Sequence, residues 1–286
     1  MERLEHVAAR KCISRCDLFE SLARAGQSGS ITVTSMEKET FHLWCAYPDD
    51  LLAAEAAQAC LPLLSEDERA RWEAFKFDRH RREYLATHAL ARIALSNYSA
   101  LRPEEWRFQE NAFGKPSPYP ESGLQFNLSN SPGLVVCLIG KGTEVGVDLE
   151  PGERAASIAE VGPRMFSAHE LEQLDSLRED ERPERCLELW NLKEAYIKAR
   201  GMGLAMPFNN FSFLFGGSQG IRMTLDSSVG DEPGRWRFCL LQHAGHCIAL
   251  MVESKTAPAL QLWDVRLPSM TPRRMTGIKQ KWFPRS

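Results

Sequence analysis

The sequence predicts a mixed fold of helices and strands in which one plan is used twice. Three observations carry this expectation. A Ser-x-x-Glu helix start occurs at Ser65 with Glu68 and again at Ser167 with Glu170. Each start leads into a long helical stretch, the second closing at Gly201. Each stretch is followed by short strand-like segments separated by Gly, Pro and Ser. Two similar lobes lying side by side leave a cleft at their junction, a common place for a ligand.

The elements follow in order. Residues 1–39 mix six basic and six acidic side chains with a weak helical stretch at Leu18–Leu22 and a Gly/Ser-rich run, and read as an N-terminal appendage. The first lobe spans 40–144. Phe41 to Tyr47 reads as a strand, Asp50 as the cap of an Ala-rich helix to Leu61, and Ser65 to about Leu95 as one longer helical stretch. Strands are expected near Trp106–Gln109, Leu124–Ser129 and Leu134–Ile139. The second lobe spans 145–254, with a strand at Val145–Glu150, a helical stretch from Ser157, the long helix to Gly201, and strands near Phe208–Phe215, Arg222–Leu225, Trp236–Gln242 and Cys247–Glu253. Residues 255–286 carry four prolines and, from Val265, six basic residues with no acidic one, and read as an extended basic tail.

Composition sets the class. With 286 residues, 43% hydrophobic and 26% charged, the chain is long enough for a real core. Thirty-five basic against 38 acidic residues leave a net charge of -3, without the basic excess of a nucleic-acid binder. The longest apolar runs, Leu134–Ile139 and Cys247–Val252, fall far short of the roughly 18 residues of a membrane span. No secretory or transit pattern opens the chain, so cytoplasm is the expected location; a monomer is the expected state. Eight scattered cysteines without CxxC pairs read as reduced core residues. Cys239, His243, His246 and Cys247 flank an Ala244-Gly245 hairpin turn, which suits a hairpin better than tetrahedral zinc.

Three constellations could carry chemistry. In Val145-Gly146-Val147-Asp148-Leu149-Glu150 strict alternation puts Asp148 and Glu150 on one face, about 6 to 7 Å apart. They suit a hard cation such as Mg²⁺, or an ordinary half-exposed strand. In Trp190-Asn191-Leu192-Lys193-Glu194-Ala195-Tyr196-Ile197-Lys198, Glu194 and Lys198 stand one helical turn apart, as a site pair or as a surface salt bridge. Gly114-Lys115-Pro116 with Phe126-Asn127-Leu128-Ser129-Asn130-Ser131 brings a turn lysine near small polar donors, which suit phosphate oxygens or a solvated hairpin. No P-loop or GxGxxG pattern is present.

Taken together, Phe-Asn-Leu-Ser-Asn-Ser, Gly-Val-Asp-Leu-Glu and Trp-Asn-Leu-Lys-Glu-Ala-Tyr-Ile-Lys, in this order and spacing, resemble the Sfp-type 4'-phosphopantetheinyl transferases over roughly Phe41 to Glu253. The resemblance implies an α+β fold of two similar subdomains related by a pseudo-twofold, with coenzyme A and Mg²⁺ between them. The first subdomain would hold coenzyme A, the second the metal and the catalytic groups. It implies transfer of the phosphopantetheine arm to a serine of an apo acyl or peptidyl carrier protein, with release of 3',5'-ADP. Asp148, Glu150 and Glu194 are then similar to metal ligands. Glu194 also resembles the group that activates the serine hydroxyl, and Lys198 the group that binds the phosphate under attack. Lys115, Ser129 and Asn130 resemble contacts to the nucleotide end of coenzyme A, and Arg71 and Arg82 basic positions near its 3'-phosphate.

Two departures stand out: Asn130 where many members carry His, and Glu68 where relatives often carry a basic residue. The pseudo-repeat roughly lines His88-x-x-x-Arg92 against Glu194-x-x-x-Lys198. Two other functions fit the same residues, a metal-dependent hydrolase of coenzyme A or a related nucleotide and a carrier-binding module without turnover. A nucleic-acid polymer and a membrane are not expected as partners.

Overall fold

The computed structural model describes residues 36–217, 220–278 and 281–283. The expected helical stretch at Leu18–Leu22 and most of the appendage lie outside them.

A five-stranded sheet in the order β12-β11-β1-β5-β4 faces a four-stranded sheet in the order β13-β9-β10-β6. The strands are β1 (Thr40–Ala46), β4 (Leu124–Ser131), β5 (Leu134–Lys141), β6 (Val145–Pro151), β9 (Trp236–His243), β10 (His246–Glu253), β11 (Ala259–Arg266), β12 (Thr271–Met275) and β13 (Trp282–Phe283). Two hairpins flank them: β2 (Arg107–Glu110) with β3 (Pro116–Tyr119), and β7 (Phe211–Phe215) with β8 (Ile221–Leu225). The helices are α1 (Ala54–Cys60), α2 (Glu66–Ala74), α3 (Asp78–Ser96), α4 (Ala155–Val161), α5 (Ala168–Asp175) and α6 (Arg182–Arg200). No helix among the described residues is long and apolar enough to cross a membrane.

Period-two alternation makes the layers, because successive strand residues point to opposite faces. Phe41, Leu43 and Cys45 of β1 join Leu134, Val136 and Leu138 of β5, Val145, Val147 and Leu149 of β6, and Ile248, Leu250 and Val252 of β10 in a core between the sheets. The other face of the first sheet, with Trp44, Ala46, Val135, Cys137 and Ile139, packs under α3. The other face of the second, with Phe238, Ala249 and Met251, packs under α6. Four layers result, helix, sheet, sheet, helix, and the order β5 beside β1 and β4 recurs as β10 beside β6 and β9.

Both expected capping boxes form. Ser65 N–H donates to Glu68 Oε2 at 2.8 Å, and Ser167 N–H to Glu170 Oε2 at 2.8 Å. Three expectations are corrected. The stretch from Ser65 breaks between α2 and α3, with extended backbone at Phe75 and Phe77. The reason is a fold-back: a straight helix would hold Glu68 and Arg92 roughly 36 Å apart, yet their side chains meet at 2.7 Å. Asp50 caps no helix side chain to backbone; it accepts from Leu267 N–H and Arg266 instead.

The segment 255–286 is not a free tail. Its β11 pairs in parallel with β1, register Leu43 to Leu262, and β13 pairs with β9, because Leu260, Leu262 and Phe283 have apolar cores to fill. The basic residues Arg273 and Arg274 lie on β12, at the sheet edge opposite β4, four strand spacings or roughly 19 Å away.

Candidate functional site

The site begins with a glycine. A Cβ on Gly146 would lie 2.1 Å from Ala195 O and 2.5 Å from Ala199 N, so α6 rests directly on the backbone of β6. With Val145, Val147 and Leu149 turned to the sheet-sheet core, the opposite face of β6 carries Gly146, Asp148 and Glu150 toward α6. Asn191 Nδ2, fully buried, donates to Cys247 O at 2.8 Å and fixes the helix along β10. Asn127 Oδ1 accepts from Val147 N–H at 2.8 Å and ties β4 of the first lobe to β6 of the second. These contacts bring Ser129 and Asn130, Asp148 and Glu150, and Trp190, Glu194 and Lys198 to one cavity of about 300 Å³.

Within it, Lys198 Nζ donates to Asp148 Oδ1 at 2.6 Å and to Ser129 Oγ at 3.0 Å. Ser129 Oγ donates in turn to Asp148 Oδ1 at 3.0 Å. Asp148 Oδ2 is buried and has no hydrogen-bond partner. Glu150 pairs with Arg154 at 2.6 Å, yet burial still holds its carboxyl above the usual range. Burial, helped by Asp148 and Glu150 and opposed by Lys198, pushes Glu194 up to about 7.

Three carboxylates therefore converge on one cavity, but they are not closed into a cage. Among the described residues no group of three His, Cys, Asp or Glu side chains is arranged to hold a metal ion. Mutual repulsion is answered instead by the ammonium of Lys198 and the guanidinium of Arg154. The orphaned Asp148 oxygen and an all-carboxylate donor set fit a hard cation.

The cavity continues along the lobe junction. Leu128, Glu194 and Lys198 are shared with a space of about 360 Å³ that Phe113, Lys115, Ile197, Gly201 and Phe208 also line. Gly114, Pro116 and Leu128 link that space to a cleft of about 860 Å³ bordered by Arg71, His88, Arg92 and Arg107. Arg71 borders this cleft, and Asn130, exposed, lines the 300 Å³ cavity and a neighbouring hollow with His80 and His88. Arg82 lines none of these cavities. Arg79 and Arg81 are engaged locally, with His80 and with Asp78. Lys115 Nζ is held by Glu144 at 2.6 Å and by Ala199 O at 2.7 Å.

Glu68 has a structural explanation. Its carboxylate takes the buried Arg92 guanidinium at 2.7 Å, His88 Nδ1 at 2.9 Å and Ser65 N–H. Burial pushes its pKa up, but His88, Arg92 and the Ser65 amide outweigh this and hold it at about 2. The second lobe repeats the device: Glu170 takes the ammonium of Lys193, both fully buried, at 2.8 Å. By partner, then, Arg92 corresponds to Lys193 and not to Lys198, which corrects the expected alignment of the two helices.

A sequence model of the 4'-phosphopantetheinyl transferase superfamily matches residues 144–251. The chain is 33% identical over 179 residues to the 4'-phosphopantetheinyl transferase HetI of Nostoc sp. strain PCC 7120, covering 62% of this chain and 73% of HetI. It is 30% identical over 188 residues to the 4'-phosphopantetheinyl transferase Sfp of Bacillus subtilis strain 168, covering 65% and 78%. The chain belongs to the 4'-phosphopantetheinyl transferases.

Two supporting residues of this 4'-phosphopantetheinyl transferase go beyond the sequence candidates: Lys193, inside the Trp190–Lys198 motif but with no role of its own there, and Asp231, outside every motif. Lys193 Nζ, besides Glu170, reaches Phe208 O at 2.7 Å and Phe211 O at 2.6 Å, which joins α5, α6 and β7. Its signal was its position: Leu189, Leu192, Lys193 and Tyr196 share one helical face. Asp231 accepts from Tyr196 OH, Arg200, Arg235 and Trp236 Nε1 and anchors the end of α6. It lies in a Gly/Pro-rich segment where nothing local marks it.

Proposed function

We propose that this transferase works with Mg²⁺ held by Asp148, Glu150 and Glu194, moving the phosphopantetheine arm of coenzyme A onto a serine of an apo acyl or peptidyl carrier protein. The observation that carries the reading is the meeting of Ser129 from one lobe with Asp148, Glu194 and Lys198 from the other, in a cavity that adjoins the larger cleft through Leu128.

The first lobe, residues 40–144, supplies most of the nucleotide cleft, and the second, 145–254, the acidic and basic groups of the reaction. Arg71, on the wall of the 860 Å³ cleft, suits the 3'-phosphate, while Ser129 and Asn130 offer neutral donors near the diphosphate. Arg82 and Lys115 are secondary in this assignment, the first lying off the cleft and the second lining it with its ammonium bound internally. When bound, Mg²⁺ supplies positive charge against the diphosphate and its developing negative charge.

Lys198 adds a second positive charge to the phosphoryl group under attack, at a point already set by Ser129 and Asp148. Glu194 takes the proton of the carrier serine, directly or through one water. The serine oxygen forms a bond to the phosphorus next to the pantetheine. The bond from that phosphorus to the bridging oxygen breaks, and 3',5'-ADP leaves. A rigid strand and a rigid helix hold these groups, which favours positioning as the source of rate.

Incubation with coenzyme A, Mg²⁺ and a panel of apo carriers, read by mass spectrometry, tests the proposal. A serine gaining one phosphopantetheine arm is the expected result. Release of 3',5'-ADP at the same rate without carrier would mean hydrolysis instead, and calorimetric carrier binding without coenzyme A binding would mean a module that only docks.

A further inference from the structure

The turn between β2 and β3 reaches across the cleft to the other lobe. Asn111 Oδ1 accepts from Phe113 N–H and Lys115 N–H, both at 2.9 Å, and so builds the turn. Its Nδ2 donates outward to Gly201 O at 2.9 Å. Two residues earlier in the chain, Ala199 O accepts from Lys115 Nζ, which Glu144 also holds. The last carbonyls of a helix have no partner within it, and a cation there is favoured by the helix dipole. Here side chains from the first lobe serve both needs for α6. The fit is close: Gly201 has φ +60, and a Cβ on it would meet Lys115 Cδ at 2.8 Å and Asn111 Nδ2 at 3.0 Å.

The same turn is a wall of the cleft. Gly114 and Pro116 border the 860 Å³ space, and Phe113, Gly114 and Lys115 border the space that contains Glu194 and Lys198. Lys198 lies less than one helical turn before Gly201, so whatever fixes the turn to Gly201 also fixes the width between nucleotide wall and reacting groups.

We propose that Asn111 is a positioning residue, whose amide clasps the β2–β3 turn to the C-terminal end of α6 and sets the opening of the coenzyme A cleft. The inference rests on the transferase reading above. It separates two tasks of one side chain, since the acceptor builds the turn and the donor makes the clasp.

Asn111→Asp separates them in practice. The carboxylate keeps both acceptor contacts, as Asp does in turns of this kind, but faces Gly201 O with an oxygen in place of a donor. Expected is a rise in coenzyme A KM of about three- to tenfold, the scale of one hydrogen bond, with kcat changed far less. Calorimetry with 3',5'-ADP and Mg²⁺ is expected to show the same weakening without any turnover. Gly201→Ala, which pushes the turn away from the other side, is expected to move KM in the same direction. Wild-type KM and nucleotide affinity in Asn111→Asp would overturn the clasp and leave Asn111 a turn former. A fall in kcat with KM unmoved would overturn it as well. If the wild-type chain itself binds neither coenzyme A nor 3',5'-ADP, the transferase reading fails first and takes this inference with it.

Discussion

Lys198 Nζ lies 2.6 Å from Asp148 Oδ1, so the end of α6 and the middle of β6 are joined by an ion pair at the bottom of the cleft. Asp148 is largely buried, 9% exposed at its side chain, and its second oxygen has no partner. Lys198→Met would leave a buried carboxylate with only the Ser129 hydroxyl, which should destabilise the chain by about 3 kcal/mol. Turnover should fall by about two orders of magnitude. Thermal melts with and without Mg²⁺ check the arrangement: the cation should recover the lost melting temperature but not the lost turnover. A melting temperature that ignores Mg²⁺ in this variant would count against Asp148 as a ligand.

Lys193, next door to Glu194, should behave in the opposite way. Lys193→Met strands Glu170 with no ammonium in a fully buried site, at a cost of about 3–5 kcal/mol. For a domain of this size that corresponds to a melting temperature lower by about 10 °C. Glu194→Gln should lose turnover with the melting temperature kept or raised. Urea titration of the two variants side by side decides the matter, and equal stabilities would contradict the structural role of Lys193.

The contrast shows what local sequence can carry. The two-residue alternation of Val145 to Glu150 placed Asp148 and Glu150 on one face, and the i,i+4 spacing placed Glu194 above Lys198, because both depend only on backbone period. Lys193 depends on a partner 23 positions earlier and on two carbonyls of the following loop, so its type alone suggests a solvated helix face. The parallel pairing of β11 with β1 joins Leu43 to Leu262, across nearly the whole chain. Prolines around it made the segment resemble a tail, while its Leu260 and Leu262 alternation was a short signal with no local partner to read. The break at Phe75–Phe77 was hidden for the same reason: no Pro or Gly marks it, and it shows only in the contact of Arg92 with Glu68, which one continuous helix could not make.

Gly146 tests the packing that assembles the site. Gly146→Ala would drive a methyl into Ala195 O and Ala199 N, both backbone atoms that can yield only if α6 shifts away from β6. The expected cost is about 1–3 kcal/mol or more, with Glu194 and Lys198 displaced from Asp148. Stability and turnover should therefore fall together, and a variant with native turnover in a standard carrier assay would show that α6 need not sit so close.

Glu194 gives the site a pH dependence. Its carboxyl is pushed up to about 7 in the folded chain from an ordinary 4.5, with burial the larger cause and Asp148 and Glu150 adding repulsion. Between those values the folded state holds a proton that the unfolded chain releases. The contribution of Glu194 to stability should therefore decline as pH rises from about 4.5 to about 7, by at most about 3 kcal/mol and by less where solvent screens the group. Buried His42, held down to about 4, and His243, also lowered by burial, titrate with the opposite sign in this window, so the slope is read as the difference in urea midpoint between the metal-free wild type and Glu194→Gln. Because a bound cation needs the carboxylate, apparent Mg²⁺ affinity should climb across the same window. Parallel stability slopes for wild type and Glu194→Gln, together with an Mg²⁺ affinity flat from pH 6 to 8, would remove Glu194 from the metal set.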